Sequence, residues 1–288
     1  PDARKNFYQG IYAADTASLS WRCIGFLPRA MAYGSSVAMP DGMILIGGMG
    51  EDGSTADVYR LRGSEMESLP ALPVTVDNGA AAAIGDILYV AGGNQDGIPS
   101  RDLWALDLSQ PGKGWKKQAK MPGNPRTQPV MAASGSRLYL WGGFAGKHKG
   151  HDATLDCDGL CYDPATNKWS PLPAPTADGA EISLGGGVAA TLPDGRILAT
   201  GGVNKDVFLA ALRNQQPDYL LHPIEWYRFN SRIFIYDPAA DEWQLVADRP
   251  DAARAGAAIA TGPDGAVYIM GGEVKPRIRT AETLRIDL

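Results

Sequence analysis

The sequence predicts an all-β fold, a six-bladed β-propeller in which the chain starts and ends inside blades. The main evidence is a repeated skeleton: an apolar strand, a tight turn, a second apolar strand that ends in Gly-Gly, a strand that ends in Asp, and a Trp-containing strand. Repetition at roughly 40–50 residues with four strands per unit is the signature of propeller blades. The 35 glycines and 21 prolines also suit many short strands joined by tight turns. The twin glycines are Gly47-Gly48, Gly92-Gly93, Gly142-Gly143, Gly201-Gly202 and Gly271-Gly272.

The predicted blades follow one another along the chain. The opening segments IYAAD and WRCIGF are expected to be the third and fourth strands of a blade. Four complete units follow, built around MILIGG, ILYVAGG, RLYLWGG and RILATGG, and the last unit stops after its third strand, TLRIDL. Propellers close by pairing strands from both termini. Because the two end fragments do not complete each other, we expect about three further strands before Pro1 in the parent protein. Residues 1–288 are expected to form one propeller domain.

Two recurring features are expected to be architectural. Twin glycines at the ends of the second strands let neighbouring backbones approach closely around the central channel. Tyr162-Asp163-Pro164 is followed by Trp169, and Tyr236-Asp237-Pro238 is followed by Trp243. An Asp-Pro pair opens a turn, and a tryptophan at this position packs between blades.

Composition restricts the classes of partner. The net charge of −5 and the pI near 5.3 leave no basic face for nucleic acid. No run of 18 apolar residues is present, so no membrane-spanning segment is expected. Cys157 and Cys161 could pair or bind metal, but with Cys23 the count is odd, and loop or core thiols are favoured. His148 and His151 lie in a Gly/Lys loop, which is weak evidence for metal, so no metal or other cofactor is expected.

The Gly-Gly, Tyr-Asp-Pro and Trp repeats resemble the Kelch family of propellers, which contains both enzymes and binding scaffolds. A closer likeness is carried by MPGNPRTQ (121–128), GGVNKDVF (201–208), IEWYRFNSRIFIYDP (224–238), GGEVKPRIRT (271–280) and KNF (5–7). These segments resemble those of the bacterial N-acetylneuraminate epimerases, also called sialic acid mutarotases. The blades come in a shifted order, so the chain resembles a cyclically permuted branch of that family over nearly all its length. A closed ring tolerates such a shift because its termini can lie at any blade.

The resemblance implies an enzyme that interconverts the anomers of sialic acid or a related sugar acid by general acid–base ring opening. Glu273 and Arg279 match the family's proposed catalytic pair. Glu273 is expected to act as general base and acid, and Arg279 to anchor the carboxylate, because a guanidinium does not readily donate a proton. The alternative for this loop is a solvated run of charges. A periplasmic or otherwise extracytoplasmic location is also implied.

A second candidate region is the insertion from Asn204 to Asn230, which is too long and too aromatic for a plain hairpin and is expected to fold as a short helical or lid-like excursion. Glu225, Tyr227 and Arg228 are predicted to line a sugar pocket together with Trp226; alternatively, these aromatics pin the loop onto the propeller. Further predicted ligand contacts near the channel mouth are Asn204, Arg126 and Gln128.

One departure from the family pattern bears on the site. Met31-Ala32-Tyr33-Gly34 stands where the related sequences carry Arg-Ala-Tyr-Gly, and Arg29 is displaced by two positions. The competing hypothesis for the whole chain is a non-catalytic propeller that binds a glycan or a protein. Convergence of Glu273 and Arg279 on one sugar-sized pocket would favour the enzyme, and a Glu273 carboxylate locked in a structural salt bridge would favour the scaffold.

Overall fold

The computed structural model describes residues 6–214 and 216–288, which are nearly all in β-structure and connecting turns. Lys5 of the KNF segment lies outside the described residues. Within them, one α-helix is present, at Lys205–Asn214, with three short 3-10 helices at Pro111–Lys113, Ile224–Tyr227 and Pro250–Ala252. The prediction of an all-β fold is confirmed.

Six antiparallel sheets follow one another along the chain, with two, four, four, four, four and three strands. Within each sheet the strands are hydrogen-bonded in sequence order, as a meander. The strands are Tyr8–Ala14 and Trp21–Met31 in sheet 1; Ser35–Met39, Gly42–Ile46, Val58–Arg62 and Glu65–Leu69 in sheet 2; Ala80–Ile84, Ile87–Ala91, Leu103–Asp107 and Lys116–Lys117 in sheet 3; Val130–Ser134, Arg137–Trp141, Gly159–Asp163 and Lys168–Leu172 in sheet 4; Val188–Thr191, Ile197–Thr200, Arg232–Asp237 and Glu242–Asp248 in sheet 5; and Ala258–Thr261, Val267–Met270 and Thr283–Ile286 in sheet 6.

The sheets from 2 to 6 pack face to face in chain order. The first strand of each contacts the first strand of the next. Four separate apolar cores lie between consecutive sheets from 2 to 6. The core between sheets 4 and 5, for example, contains the fully buried Trp141 with Tyr139 and Tyr236. Alternating apolar residues on both faces of each sheet supply these cores. Within the described part of the chain, no strand pairing joins sheet 6 to sheet 1.

The twin glycines lie where neighbouring sheets meet, as the sequence predicts. Gly92 has φ of 61°, and a Cβ on it would lie 2.4 Å from the carbonyl oxygen of Arg126, in the approach to the next sheet. A Cβ on Gly201 would lie 2.5 Å from the carbonyl oxygen of Arg254. The backbone conformation and the lack of space therefore both require glycine. Gly271 differs, since the nearest atom to its added Cβ is the Thr280 carbonyl oxygen at 3.6 Å.

The tryptophans that follow the Tyr-Asp-Pro segments join neighbouring sheets. The indole of Trp169 in sheet 4 donates to the carbonyl of Ala119, beyond sheet 3, at 2.7 Å. The indole of Trp243 in sheet 5 donates to the carbonyl of Pro173, beyond sheet 4, at 3.0 Å. The prediction that these residues are architectural is confirmed.

Short ladders of two or three strands lie in the connections at one end of the sheets. One of them, between Glu273–Lys275 and Ile278–Arg279, carries two candidate site residues. The others join Met49–Gly50 to Gly53–Ser54; Val76–Asp77, Asn94–Gln95 and Ile98–Pro99 in one three-stranded ladder; Phe144–Ala145 to Thr154–Leu155; and Thr176–Ala177 to Ala180–Glu181. In the described residues, no helix combines the length and apolar character that a membrane span requires.

Candidate functional site

Five structurally equivalent residues form a rim at one end of the sheets. These rim residues, each two positions before the first strand of its sheet, are Tyr33, Asn78, Gln128, Gly186 and Gly256. All five have positive φ, between 53° and 73°. From Asn78 onward, each rim amide donates to the carbonyl of the preceding rim residue, at distances from 2.7 to 2.9 Å. Main-chain hydrogen bonds therefore connect the sheets from 2 to 6 and fix where the rim side chains start.

A second equivalent series follows the twin glycines. Its members are Met49, Asn94, Phe144, Val203 and Glu273. Each pairs through its backbone with the residue just before a rim residue; the amide of Glu273, for example, donates to the Ala255 carbonyl at 2.7 Å. Glu273 is the one ionisable member, so the repeated scaffold places a single carboxylate at this level.

The rim residues and three members of the second series, Phe144, Val203 and Glu273, line a cavity of about 670 Å³. This volume lies in the range of small-molecule sites. The cavity walls combine polar groups with aromatic and glycine surfaces. The lining residues include the rim residues, Phe144, Val203, Phe208, Tyr219, Phe229, Glu273, Pro276, Arg279 and Thr280.

Glu273 and Arg279 converge on this cavity. They are direct cross-strand partners in the hairpin after Gly271-Gly272, so their side chains leave the ladder side by side. The Arg279 Nε lies 3.5 Å from the Glu273 Oε1, and the side chains are 53% and 30% exposed. Within the described residues, the Glu273 carboxylate has no other charged partner. It is therefore not locked into the scaffold.

The insertion forms one wall of the cavity through Phe208, Tyr219 and Phe229. It is tied to the Glu273 hairpin because the Lys275 ammonium donates to the carbonyls of His222 at 2.6 Å and of Leu220 at 3.4 Å. The expectation of a short helical excursion is confirmed. The side of the cavity opposite the rim is thus built by residues that no other repeat contains.

A polar relay fixes the amide groups on the other side of the rim. Asp77 is buried, and it accepts hydrogen bonds from Ser54, from Asn94 at 2.8 Å and from Asn78 Nδ2 at 2.7 Å. Asn78 Oδ1 then accepts from Gln128 Nε2 at 2.7 Å. A carboxylate in this role only accepts hydrogen bonds, so Asn78 Nδ2 is the donor to Asp77 and Gln128 Nε2 is the donor to Asn78 Oδ1. The remaining polar atom of the Gln128 side chain, Oε1, is therefore an acceptor.

That acceptor lies over the rim. A Cβ on Gly186 would be 3.2 Å from Gln128 Oε1, so the glycine leaves the oxygen accessible at the cavity. Gln128 was predicted as a ligand contact, and the structure places it in the cavity lining. The arrangement presents a fixed acceptor to a hydroxyl or amide donor of a ligand.

Arg126, two residues earlier, does not reach the cavity. It is buried, and its guanidinium binds the Asp158 carboxylate at 2.8 Å and the carbonyls of Gly142 and Asp158 at 3.0 Å. Arg254 repeats the pattern in sheet 6, with the carbonyls of Gly271 at 2.9 Å and Glu282 at 3.2 Å. Both arginines join the second and third strands of their sheets from within.

Arg29 makes the corresponding ion pair in sheet 2, which accounts for the methionine at position 31. Its guanidinium lies 3.4 Å from the carboxylate of Asp57. Asp57 immediately precedes the third strand of sheet 2, as Asp158 does in sheet 4. The arginine therefore reaches the equivalent carboxylate from a position two residues earlier.

The remaining predicted contacts lie outside the main cavity. Asn204 caps the α-helix, accepting from the Val207 amide at 3.1 Å, and with Arg228 it lines a neighbouring cavity of about 630 Å³. Glu225 is exposed and lines neither cavity. Tyr227 is buried, and its hydroxyl donates to the carbonyl of Tyr219. Its role matches the alternative interpretation, in which the aromatics pin the insertion.

The surroundings of the cysteines and of His148 and His151 are local structural contacts. All three thiols are free, with Cys157 and Cys161 in different apolar clusters. Burial raises the pKa of Cys157 to about 11, so it is a core thiol at neutral pH. His148 and His151 pair through their backbones. Among residues 6–214 and 216–288, no group of three or more His, Cys, Asp or Glu side chains is arranged to hold a metal ion.

The sequence interpretation missed several cavity residues. Tyr33 and Asn78 could have been found by aligning the repeats, because they occupy the same offset before a first strand as Gln128. Phe208, Tyr219 and Phe229 had no such signal, because the insertion is unique to one repeat.

Comparison with known proteins identifies the family of the chain. A family model described as N-acetylneuraminate epimerase matches residues 69–288, more than half of the chain. The chain belongs to the N-acetylneuraminate epimerase family. Sheet 1 and the first three strands of sheet 2 lie outside the match. The family resemblance carried by the sequence segments is therefore confirmed.

Relatives named N-acetylneuraminate epimerase include one from Brucella melitensis, 34% identical over 77% of this chain and 59% of its own length. Another, from Haemophilus influenzae, is 32% identical over 75% of this chain and 58% of its own length. The solved structure of YjhT is similar with a TM-score of 0.66 and 28% identity, covering 76% of this chain and 63% of that one. The chain thus spans less than two thirds of the length of each of these three proteins.

Proposed function

We propose that this chain is a mutarotase that interconverts the anomers of N-acetylneuraminate or a related sugar acid. The observation that carries the proposal is the convergence of Glu273 and Arg279, side by side, on one cavity of about 670 Å³. The family's printed name supports the choice of substrate. The reaction opens the sugar ring at the anomeric carbon and closes it on the other face, which needs proton transfer but no redox step.

The roles follow from the chemistry of the two groups. The Glu273 carboxylate takes the proton of the anomeric hydroxyl and returns it after ring closure. Arg279 presents a planar guanidinium to the carboxylate of the sugar acid and balances the charge that develops beside it. On the opposite wall, Gln128 Oε1 accepts a hydrogen bond from a donor group of the sugar.

The proposal extends to the architecture. Consecutive packing of sheets 2 to 6 and the continuous rim of main-chain hydrogen bonds support one closed six-bladed Kelch-type propeller domain. The family match begins at residue 69, which supports a cyclically permuted order of blades. We further propose a periplasmic or otherwise extracytoplasmic location, on the family resemblance alone.

The test is one-dimensional NMR of freshly dissolved α-N-acetylneuraminate, in which the approach to anomeric equilibrium is followed with and without protein. Wild-type protein should accelerate it, and Glu273→Gln should reduce the acceleration by at least ~100-fold, as expected for loss of a general base. Glu242→Gln, which makes the same change on an exposed strand of sheet 5, should behave as wild type. Absence of acceleration with this and other sugar acids would contradict the proposal and favour a glycan- or protein-binding propeller.

A further inference from the structure

The proposed reaction needs two proton-transfer groups, and the charged pair supplies only one of them. When the anomeric hydroxyl loses its proton, the ring carbon–oxygen bond breaks, and the ring oxygen must gain a proton. Glu273 serves the anomeric oxygen. A guanidinium such as that of Arg279 is a poor proton donor. The ring oxygen therefore requires another group in the same cavity.

Tyr219 has an uncommitted phenol at this location. Its side chain lines the cavity that contains Glu273 and Arg279. Within the described residues, the Tyr219 hydroxyl has no hydrogen-bond partner, whereas the buried hydroxyls of Tyr162 and Tyr236 are bonded to Asn167 and Asp241. A partly buried phenol that faces a cavity without a partner is available to a ligand.

The ring of Tyr219 is held in place by aromatic neighbours. Its centroid lies 5.4 Å from that of Tyr227 and 6.0 Å from that of Trp226, both in edge-to-face geometry. Trp226 in turn stacks on the His222 imidazole at 3.8 Å. Edge-to-face contacts of this kind are favoured by the charge distribution of aromatic rings. The phenol is therefore oriented before any ligand arrives.

The backbone around Tyr219 is coupled to the hairpin that carries Glu273. The Tyr227 hydroxyl donates to the Tyr219 carbonyl. Lys275, two residues after Glu273, donates to the carbonyls of Leu220 and His222. The carboxylate and the phenol therefore belong to one connected unit, although 54 positions separate them in the sequence.

The electrostatic environment keeps the phenol protonated. Burial, followed by the charges of Tyr227 and Glu273, raises the pKa of Tyr219 to about 12. The group therefore carries its proton throughout the neutral range. An acidity of this order is close to that of the sugar hydroxyl that forms, so the proton can move in either direction during the reaction.

We infer that Tyr219 is a catalytic residue that donates the proton to the ring oxygen while Glu273 removes the proton of the anomeric hydroxyl. In the opening step, the O–H electron pair forms the carbonyl, the ring C–O pair moves to the ring oxygen, and that oxygen takes the Tyr219 proton. The open-chain carbonyl then rotates. In closure the phenolate recovers the proton as the oxygen attacks the other face, and Glu273 returns its proton to the new anomeric oxygen.

The inference rests on the proposed function, and the experiment separates the two. Tyr219→Phe keeps the ring and its packing but removes the hydroxyl. It should lower kcat for N-acetylneuraminate by about 100-fold with KM changed by less than about threefold, since general acid catalysis contributes that much. Tyr12→Phe, which removes an exposed phenol on sheet 1, serves as the matched control and should retain full activity.

A second variant tests whether the Tyr219 phenol supplies the proton. Incorporation of 3-fluorotyrosine at position 219 preserves the shape of the residue but makes the phenol more acidic, so the alkaline limb of the pH–kcat profile should move to lower pH. A Tyr219→Phe protein that is folded and fully active, or an unmoved alkaline limb, would overturn the assignment while leaving the mutarotase intact. An inactive wild-type protein would overturn the proposed function, and the assignment with it.

Discussion

Replacement of Arg126 by methionine should destabilise the fold and leave ligand binding unchanged. The guanidinium is 2% exposed and is held by the Asp158 carboxylate and by the carbonyls of Gly142 and Asp158. Methionine fills similar space but cannot donate. The Gly142 carbonyl would then lose its donor, at about 1–3 kcal/mol for a buried unsatisfied acceptor. The Asp158 carbonyl would keep the hydrogen bond from the Gly142 amide at 3.1 Å.

The size of the effect follows from which groups water can reach. The Asp158 carboxylate is 53% exposed, so water can replace the guanidinium there at small cost. The loss therefore comes mainly from the Gly142 carbonyl, and the free energy of unfolding should fall by about 1–3 kcal/mol. A change of this size is a substantial part of the stability of an ordinary domain.

The measurement is urea unfolding followed by tryptophan fluorescence, with KM measured on the folded protein. Arg137→Met is the matched control, because Arg137 is an exposed arginine of the same sheet whose pair with Asp163 spans 3.5 Å. Loss of this exposed pair should cost less than about 1 kcal/mol. If Arg126→Met kept its stability but raised KM, the guanidinium would reach the ligand and its assignment to the sheet interior would be wrong.

Two further predictions concern the relay and the alkaline stability. Asp77→Leu should raise KM about fivefold, because loss of one fixed hydrogen bond at Gln128 corresponds to roughly 1 kcal/mol. Asp77→Asn keeps the acceptor that orients Asn78 and should stay near wild type, so equal KM values for the two variants would contradict the relay. Burial, with the charges of Tyr89 and Asp163, raises the pKa of Tyr162 to about 12 from its ordinary value of 10. The folded state thus holds this proton more tightly, so its contribution of up to ~3 kcal/mol is complete below pH 10 and is lost as pH rises through 12. Urea unfolding at pH 8 and 11.5 should therefore show a smaller alkaline loss in Tyr162→Phe than in wild type, and an equal loss would refute the assignment.

The sequence was sufficient for the β-structure because the repeats carry local rules. Twin glycines mark positions where a side chain would meet the next sheet, and Trp169 and Trp243 mark the contacts between sheets. These requirements recur with each unit, so one chain provides several independent observations of the same pattern. Strand positions and sheet order could therefore be read without knowledge of any long-range contact.

The site was predictable only where its residues share a local element. Glu273 and Arg279 were found together because a single hairpin presents both. Arg126 and Gln128 lie two positions apart in the same motif, yet the Arg126 side chain turns into the sheet. The left-handed backbone at Gln128 instead directs its side chain to the cavity. Sequence spacing does not reveal that difference in φ. Tyr219 was missed because its position depends on how the unique insertion folds onto the Glu273 hairpin.

The rim has a consequence for how substrate preference can change over generations. Its main-chain links between sheets use only amide and carbonyl groups, so a new side chain at a rim position alters the ligand surface without removing these main-chain hydrogen bonds. Tyr33, Asn78 and Gln128 represent three different outcomes at equivalent positions, and Gly186 and Gly256 leave open space. A single codon change at one of them can therefore give a new specificity while the rest of the protein is inherited intact.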